Sequence, residues 1–445
     1  MTRLQKRDWR FKGEITAFLS LIFILMLSVV AASFASASMQ VKKSSQRAKM
    51  NMALESVFAE YHQGMLEHYD LFVRSGCDES TIKNRLQYYG MTDMQQSVTK
   101  SELLTDNQGL PYYQQAVRYM KNWLGMDGAI GGGGSSDFET DSSIEILEEQ
   151  TASNLSDLLS QGEATLPEEN NPLNNIQNLK NSSLLSILVP NPENLSHRSL
   201  TISNLPSNRT LQSGTGRFED AEGEGGIAEK AFFVAYLFEH FSDASEERNL
   251  NALSYELEYI LCGNRVDSEN LEDTLQKILK IRMALNYGYL QTDEMRKAEA
   301  EVMAITLCSL IQIPGITEVV KQAILLAWAY GESIVDLKVL MKQDKVPLWK
   351  TSETWQLQLS NLAKLGTSEE VNDAKTHETG LHYQDYLKGL LLLEDREALC
   401  MRSLDLIESN LSIRTDECMT RVEIKSDYQL REGVWDRFQT DFRYQ

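Results

Sequence analysis

The chain reads as an α+β protein, predominantly helical, hung from a membrane by its N-terminus. Three observations predict this. An uncharged stretch runs from Ile15 to Met39 behind a basic head. Apolar residues then recur at three- and four-residue steps over long segments of the remainder, the mark of amphipathic helices. Two short runs, around Tyr255 and Cys418, alternate with a period of two, the mark of strands.

The head, residues 1–14, carries Arg3, Lys6, Arg7, Arg10 and Lys12. Residues 15–39 contain no Asp, Glu, Lys, Arg, Asn or Gln. About 20 apolar residues at 1.5 Å each cross a hydrocarbon core of ~30 Å. The second half of the run is Ala- and Ser-rich, a composition suited to close helix contact. A competing reading is a cleaved secretory signal, because Ala35-Ser36-Ala37 forms an A-x-A site with a cut after Ala37. The apolar run exceeds the usual ~7–15 residue signal core, which favours a span. Basic residues on both sides of it (Lys42, Lys43, Arg47 and Lys49 beyond) leave a thin margin for a cytoplasmic N-terminus and an extracytoplasmic body.

Residues 40–125 form the membrane-proximal region. Met50, Ala53, Val57, Tyr61, Met65, Tyr69 and Phe72 continue the helical spacing, and no Pro occurs from Met1 to Leu110. The pattern predicts one long helix, half in lipid, whose stripe Met50–Val57–Tyr61–Met65–Tyr69–Phe72 packs on protein. Residues 126–226 change character: GGGGSS at 131–136, no Lys or Arg between Lys121 and Lys180, and frequent Asn, Ser, Asp and Glu. They read as a flexible acidic connector, with a marginal helix at IEILEEQTASNLSDLLSQ and an edge hairpin within LSILVPNPENLSHRSLTISNL.

The body, residues 227–445, opens with a buried helix at AEKAFFVAYLFEHF. SYELEYIL sets Tyr255, Leu257, Tyr259 and Leu261 against Glu256 and Glu258 and is expected as a strand. Asp267 or Ser268 then caps the helix NLEDTLQKILKIRMALNYGYL. Further helices follow at EMRKAEAEVMAITLCSLI, stopped by Pro314-Gly315, at ITEVVKQAILLAWAYGESIVDLKVLM, and at HYQDYLKGLLLLEDREALCMRSLDLIESNL, the last as one long helix. Cys418, Thr420, Val422 and Ile424 form the second strand, expected to pair with the Tyr255 strand.

Composition bounds the function. A net charge of −21 argues against nucleic acid, since a phosphate-binding face needs clustered Lys and Arg. Five scattered cysteines without a CxxC suggest no disulfide framework, and Cys308 sits in an apolar run as a core residue; a Cys400–Cys418 bond is the one pairing considered. His62 and His68 are six apart, not the spacing of a helical metal pair. His377, Glu378 and His382 offer too few ligands for a metal site. Glu332 and Asp336 lie one turn apart beside Trp328 and Tyr330, a geometry open to acid–base work but equally to pairing with a nearby Lys or Arg. Trp328, Trp349 and Trp355 are core and rim anchors with a partner-binding patch as the alternative. No catalytic, cofactor or metal site, and no small-molecule substrate, is expected; the chain reads as a non-enzyme.

The strings FKGEITAFLSLIFILMLSVV and AKMNMALESVFAEYHQGMLEHYDLF, with YELEYILCGN, AILLAWAYGESIVDLKVLMKQDKVPLWK and LHYQDYLKGLLLLEDRE, resemble a membrane-anchored family of unknown function found in Firmicute loci for tight-adherence (Tad, Flp-type) pili. The N-terminus is similar to TadE- and TadG-like pseudopilins. There a prepilin peptidase cuts after a Gly behind basic residues, and a Glu five residues on aids assembly. Gly13 matches the first feature; position five after it is Phe18, and the only nearby acid is Glu14. The resemblance implies a structural or assembly component of a Tad-type pilus or secretion machine, with membrane lipid and protein subunits as partners. The alternative is an anchored extracytoplasmic ligand-binding or adhesion protein.

Overall fold

The computed structural model describes residues 8–76, 78–125, 172–189, 191–218, 226–245, 252–311, 317–366 and 375–444. The Gly-rich run at 131–136, the expected helix at IEILEEQTASNLSDLLSQ and Pro314-Gly315 lie outside them. The architecture is α+β and predominantly helical, as expected.

Helix α1 (Asp8–Phe58) is 51 residues long, about 77 Å at 1.5 Å per residue. It stops at Phe58, short of the expected continuation through Phe72. His62 starts a new helix, α2 (Gln63–Tyr69), by accepting the Met65 amide on Nδ1 at 3.1 Å. Asp70 ends α2 in the left-handed region (φ 51°), and the His62 amide donates to Val73 O at 2.8 Å, so the chain doubles back. Local capping beats helix propagation here. A two-residue strand β1 (Arg74–Ser75), helix α3 (Glu79–Tyr88, capped by Asp78), strand β2 (Met94–Leu103) and helix α4 (Asp106–Trp123) follow.

The expected connector folds over 172–218. Helices α5 (Pro172–Lys180) and α6 (Leu184–Leu188) bury Ile176, Leu179, Leu184, Leu185 and Leu188 in the main core, and Leu200 and Leu205 join them. The expected hairpin reduces to a single bridge, Ser199 with Val266. Asn-rich composition hid a sparse apolar face.

Helix α7 (Ile227–His240) is as expected. SYELEYIL, expected as a strand, is helix α8 (Glu256–Cys262). The period-two reading failed because Glu256 and Glu258 do not face water: both are fully buried. Glu256 accepts the Ser242 amide and hydroxyl at 3.0 Å, and Glu258 accepts the Tyr383 hydroxyl at 2.7 Å. Gly263 closes α8 in the left-handed region (φ 79°), and a Cβ there would sit 2.8 Å from Arg402 Nε. Helix α9 (Asp267–Thr292) has Val266 at its N-cap; Asp267, expected as the cap, instead accepts the Ser254 and Tyr255 amides. Helices α10 (Glu294–Ile311) and α11 (Thr317–Met341) match expectation. The expected long final helix is two, α12 (Tyr383–Leu393) and α13 (Arg396–Leu411), broken at Glu394-Asp395.

Strand β3 (Cys418–Arg431) forms as expected, but its partners are not at Tyr255. It pairs antiparallel with β1 at Arg74–Met419, with β2 along Met94–Leu103, and with β4 (Val434–Arg443) through a turn at Gly433 (φ 74°). Two hydrophobic cores result. A large one gathers α2, α4–α9, α11–α13 and parts of α10. A smaller one sets Met50, Ala53, Leu54, Val57 and Phe58 of α1 and Ile82 and Leu86 of α3 against Val422, Ile424, Tyr428 and Phe438 of the sheet.

Candidate functional site

The junction between α1 and the sheet is where the apolar anchor becomes part of a folded body. Over Ile15–Phe34 the large apolar side chains of α1 point outward on every side, Phe34 at 78% and Phe18 at 65% exposure. Among the described residues this is one helix long and apolar enough to cross a membrane, consistent with a single-pass anchor. From Met50 onward the same helix is core. Polar contacts bridge the two regimes. Lys42 Nζ donates to Gln429 O at 3.2 Å and Leu430 O at 2.5 Å. Lys43 pairs with Asp436 at 3.3 Å, and the Arg47 guanidinium lies 5.8 Å from the Phe438 ring centre. Phe58 stacks on Phe442 at 4.4 Å, and its carbonyl accepts the Tyr444 hydroxyl. The hydrogen bond from Tyr428, then Lys43, holds the Asp436 carboxyl below its ordinary value.

This geometry corrects the packing stripe. Met50 and Val57 are buried in the small core, but Met65 and Tyr69 belong to α2 and the large core. Tyr61 and Phe72 lie outside any helix, edge to face at 5.6 Å and 40% and 37% exposed. The six residues therefore offer no common face to a partner. Gly13 and Glu14 lie within the first turns of α1.

Glu332 and Asp336 are paired core groups. Both are fully buried, with Arg282 and Lys350 beside them at 0% and 2% exposure. Lys350 Nζ sits 2.7 Å from Glu332 Oε1 and 2.7 Å from Asp336 Oδ1. Arg282 reaches Asp336 Oδ2 through Nε at 3.0 Å and Nη2 at 2.9 Å, and donates to the Pro347 and Leu348 carbonyls at 3.0 Å. Asn286 donates to Asp336, and the Gln356 and Leu357 amides to Glu332. Burial pushes the Glu332 carboxyl above its ordinary value, against the pull of Lys350. Two cations and two carboxylates balance, and acid–base work needs a substrate within hydrogen-bond reach of a group that faces it. The quartet instead staples α9, α11 and the 345–357 loop together. Trp328 and Trp355 are buried in this core, in line with the reading as core and rim anchors and against the alternative of a partner patch shared with Trp349; both indoles donate to Leu357 O, at 2.8 and 2.7 Å. Trp349 alone of the three is exposed, at 57%.

One feature escaped the sequence reading. A cavity of about 710 Å³ opens between the start of α4, residues 206–213 and the start of α13. Its rim holds Asn107 (φ 49°) and Gln108 (φ 57°), which with the buried Gly109 (φ 76°) are three consecutive left-handed residues before α4 turns right-handed. Non-glycine residues in this region cost about 1–3 kcal/mol each and concentrate at functional positions. Asp106 anchors the turn by accepting the Leu103 and Gly214 amides, and burial raises its carboxyl above the ordinary value. Arg209 holds the floor on Glu408 at 2.7 Å and Asp416 at 2.6 Å. The Asp-Asn-Gln-Gly run was the available signal, a turn composition inside an apolar pattern.

The four described cysteines, Cys262, Cys308, Cys400 and Cys418, are free thiols, so Cys400 and Cys418 are not bonded to each other. His62 and His382 serve as helix caps. No metal-binding cluster occurs among the described residues.

Residues 162–430 match the model of a family described as being of unknown function, DUF5702. The chain belongs to that family. No curated protein and no solved structure matches it. The DUF5702 match takes in α5 to α13, the ion quartet and most of β3. It excludes α1, β2 and β4, so the junction is assembled from chain on both sides of the DUF5702 segment. The start of the match at residue 162 also places the folded 172–218 segment inside the DUF5702 unit rather than in a connector.

Proposed function

We propose that the protein is a membrane-anchored structural or assembly component, pseudopilin-like, of a Tad-type pilus or secretion machine. The N-terminus is cytoplasmic and the body extracytoplasmic. One observation carries this reading: α1 is a single helix whose first part is apolar and bare on all sides and whose last part is a core element of an antiparallel sheet. Such a helix transmits the position of its membrane half rigidly to the body, which suits packing into an assembly. Val29, Ala32, Ser33, Ser36, Ala37 and Gln40 form a shallow groove along it, and small residues let helix backbones approach closely. Val57 is unsuited to testing this, being buried within the protein itself. The test is Ala32→Leu with Ser36→Leu in native membranes. The expected result is loss of co-purifying membrane subunits with the protein still folded and membrane-bound; full co-purification would remove this helix face from the proposal. The mass of the mature N-terminal peptide is the companion measurement, with a start at Glu14 expected for a processed pseudopilin.

A second reading, an anchored ligand-binding or adhesion protein, is favoured by the 710 Å³ cavity and its left-handed rim. Because that cavity uses residues 105–110 and 206–213, ligand-dependent thermal stabilisation must be sought with the full chain.

A further inference from the structure

Trp435, 58% exposed, and Val434, 36% exposed, stand at the turn between β3 and β4. Their height along α1 follows from the contacts that dock the hairpin. Asp436 lies opposite Lys43, and Phe438 lies opposite Arg47. Two strand residues advance ~6.6 Å and four helix residues ~6 Å, so hairpin and helix run in step, the strand approaching its turn as the helix approaches its N-terminus. Continuing that step from Asp436 brings Val434 and Gly433 level with about residue 39 of α1. Met39 is the last residue of the uncharged run, and it already packs against the small core, which confirms that the body reaches this level. The hairpin tip therefore arrives where the apolar helix leaves lipid.

The chemistry at that level is interfacial. Residues 40–49 of α1 hold Lys42, Lys43, Arg47 and Lys49 and no acid, on a chain whose net charge is −21. Arg431 is exposed on the hairpin beside them, next to the exposed Glu432, and Asp436 matches Lys43, which leaves the basic residues of this level in excess. A basic collar of this kind is drawn to acidic headgroups, and Trp rings favour the boundary between headgroups and hydrocarbon.

We propose that the β3–β4 tip is a second membrane contact: Trp435 and Val434 insert at the boundary of the leaflet from which α1 emerges, and the exposed Arg431 faces the phosphates of anionic lipid. This rests on the reading of α1 as a membrane span, and it fixes the tilt and rotation of the body on the bilayer, which a lone helix leaves free.

The test is Trp fluorescence of the full chain reconstituted into phosphatidylcholine–phosphatidylglycerol vesicles, with and without brominated acyl chains. Trp435→Phe and Trp349→Phe are each subtracted from the parent to isolate one emission. The expected result is a blue-shifted Trp435 component that loses most of its intensity to brominated lipid, beside a Trp349 component that loses none. A red-shifted, unquenched Trp435 component on protein that resists alkaline extraction from the vesicles would overturn the hairpin contact and leave the anchor standing. Protein released by alkaline extraction would overturn both.

Discussion

The two cores of this molecule solve the same problem by different means. The large core is helical, lies mostly in the DUF5702 segment, and buries a charged quartet in its middle. The small core is a sheet against a helix, is built from residues 50–103 and 419–444 with little charge inside, and adjoins the apolar part of α1. The contrast shows where specificity is placed. In the large core, Arg282, Glu332, Asp336 and Lys350 admit one alignment of α9, α11 and the 345–357 loop. At the junction the ion pair Lys43–Asp436 is partly exposed, the buried polar contact is the uncharged bond from Tyr444 to the Phe58 carbonyl, and side-chain packing sets the alignment.

The sharpest way to break the comparison is Arg282→Met. Removing one member of a buried, hydrogen-bonded ion cluster costs about 3–5 kcal/mol, because its partners stay buried with charge unmatched. Denaturant unfolding of the full chain in detergent should show this loss, and Arg282→Met combined with Asp336→Leu should recover much of it. If the double variant is no better than the single, the quartet is not the determinant.

Leu54→Ala comes next. Leu54 is 1% exposed in the small core, and such truncations cost about 2–5 kcal/mol. Hydrogen exchange should speed at the amides of β3 and β4 while those of α9 and α11 keep their protection. Equal acceleration in both would mean that the two cores unfold as one unit.

The third effect is pH-dependent. Burial, with Asp243 adding to it, raises the Glu258 carboxyl from 4.5 to about 7, against the Tyr383 hydroxyl and the Ala244 amide. Its Oε2 has no partner among the described residues. The folded state therefore binds the proton more tightly than the unfolded chain. The stability this contributes is full below about pH 4.5 and is lost as pH rises through about 7, a change of up to ~3 kcal/mol. Glu258→Gln, uncharged throughout, should flatten the stability profile between those limits; an unchanged slope would place the titration elsewhere.

Lys43→Ala should be the smallest. Its pair with Asp436 is 37% and 24% exposed, and such contacts contribute about 0.2–1 kcal/mol, less in high salt. A larger, salt-insensitive loss would show that the junction also depends on charge.

Much of the helical body was legible, because α7, α9, α10 and α11 carry apolar periodicities long enough to exclude other readings. So was β3, whose alternation places Val422 and Ile424 in the small core. Other elements misled for identifiable reasons. The glutamates of α8 were read as solvent-facing when they are internal acceptors. The apolar residues of α5 and α6 were diluted by Asn and Ser. The Met50–Phe72 spacing persisted across a break in the helix because both sides of the break bury residues, though in different cores. Of the candidate site, the anchor was legible and the junction was not, since β2 meets β3 and α1 meets the β3–β4 hairpin only in space.

The sequence alone determined what depends on neighbours a few residues apart: the apolar span, helices α7 and α9–α11 of the body and the absence of charge from Ile15 to Met39. Tertiary structure decided what depends on partners far along the chain. Lys350 selects Glu332 from 18 residues away and Arg282 selects Asp336 from 54. β3 takes β2 from more than 300 residues upstream, and Asp436 meets Lys43 across nearly the whole chain. A periodicity records that a face will be buried, whereas the identity of what covers it is set by the packing of the entire fold.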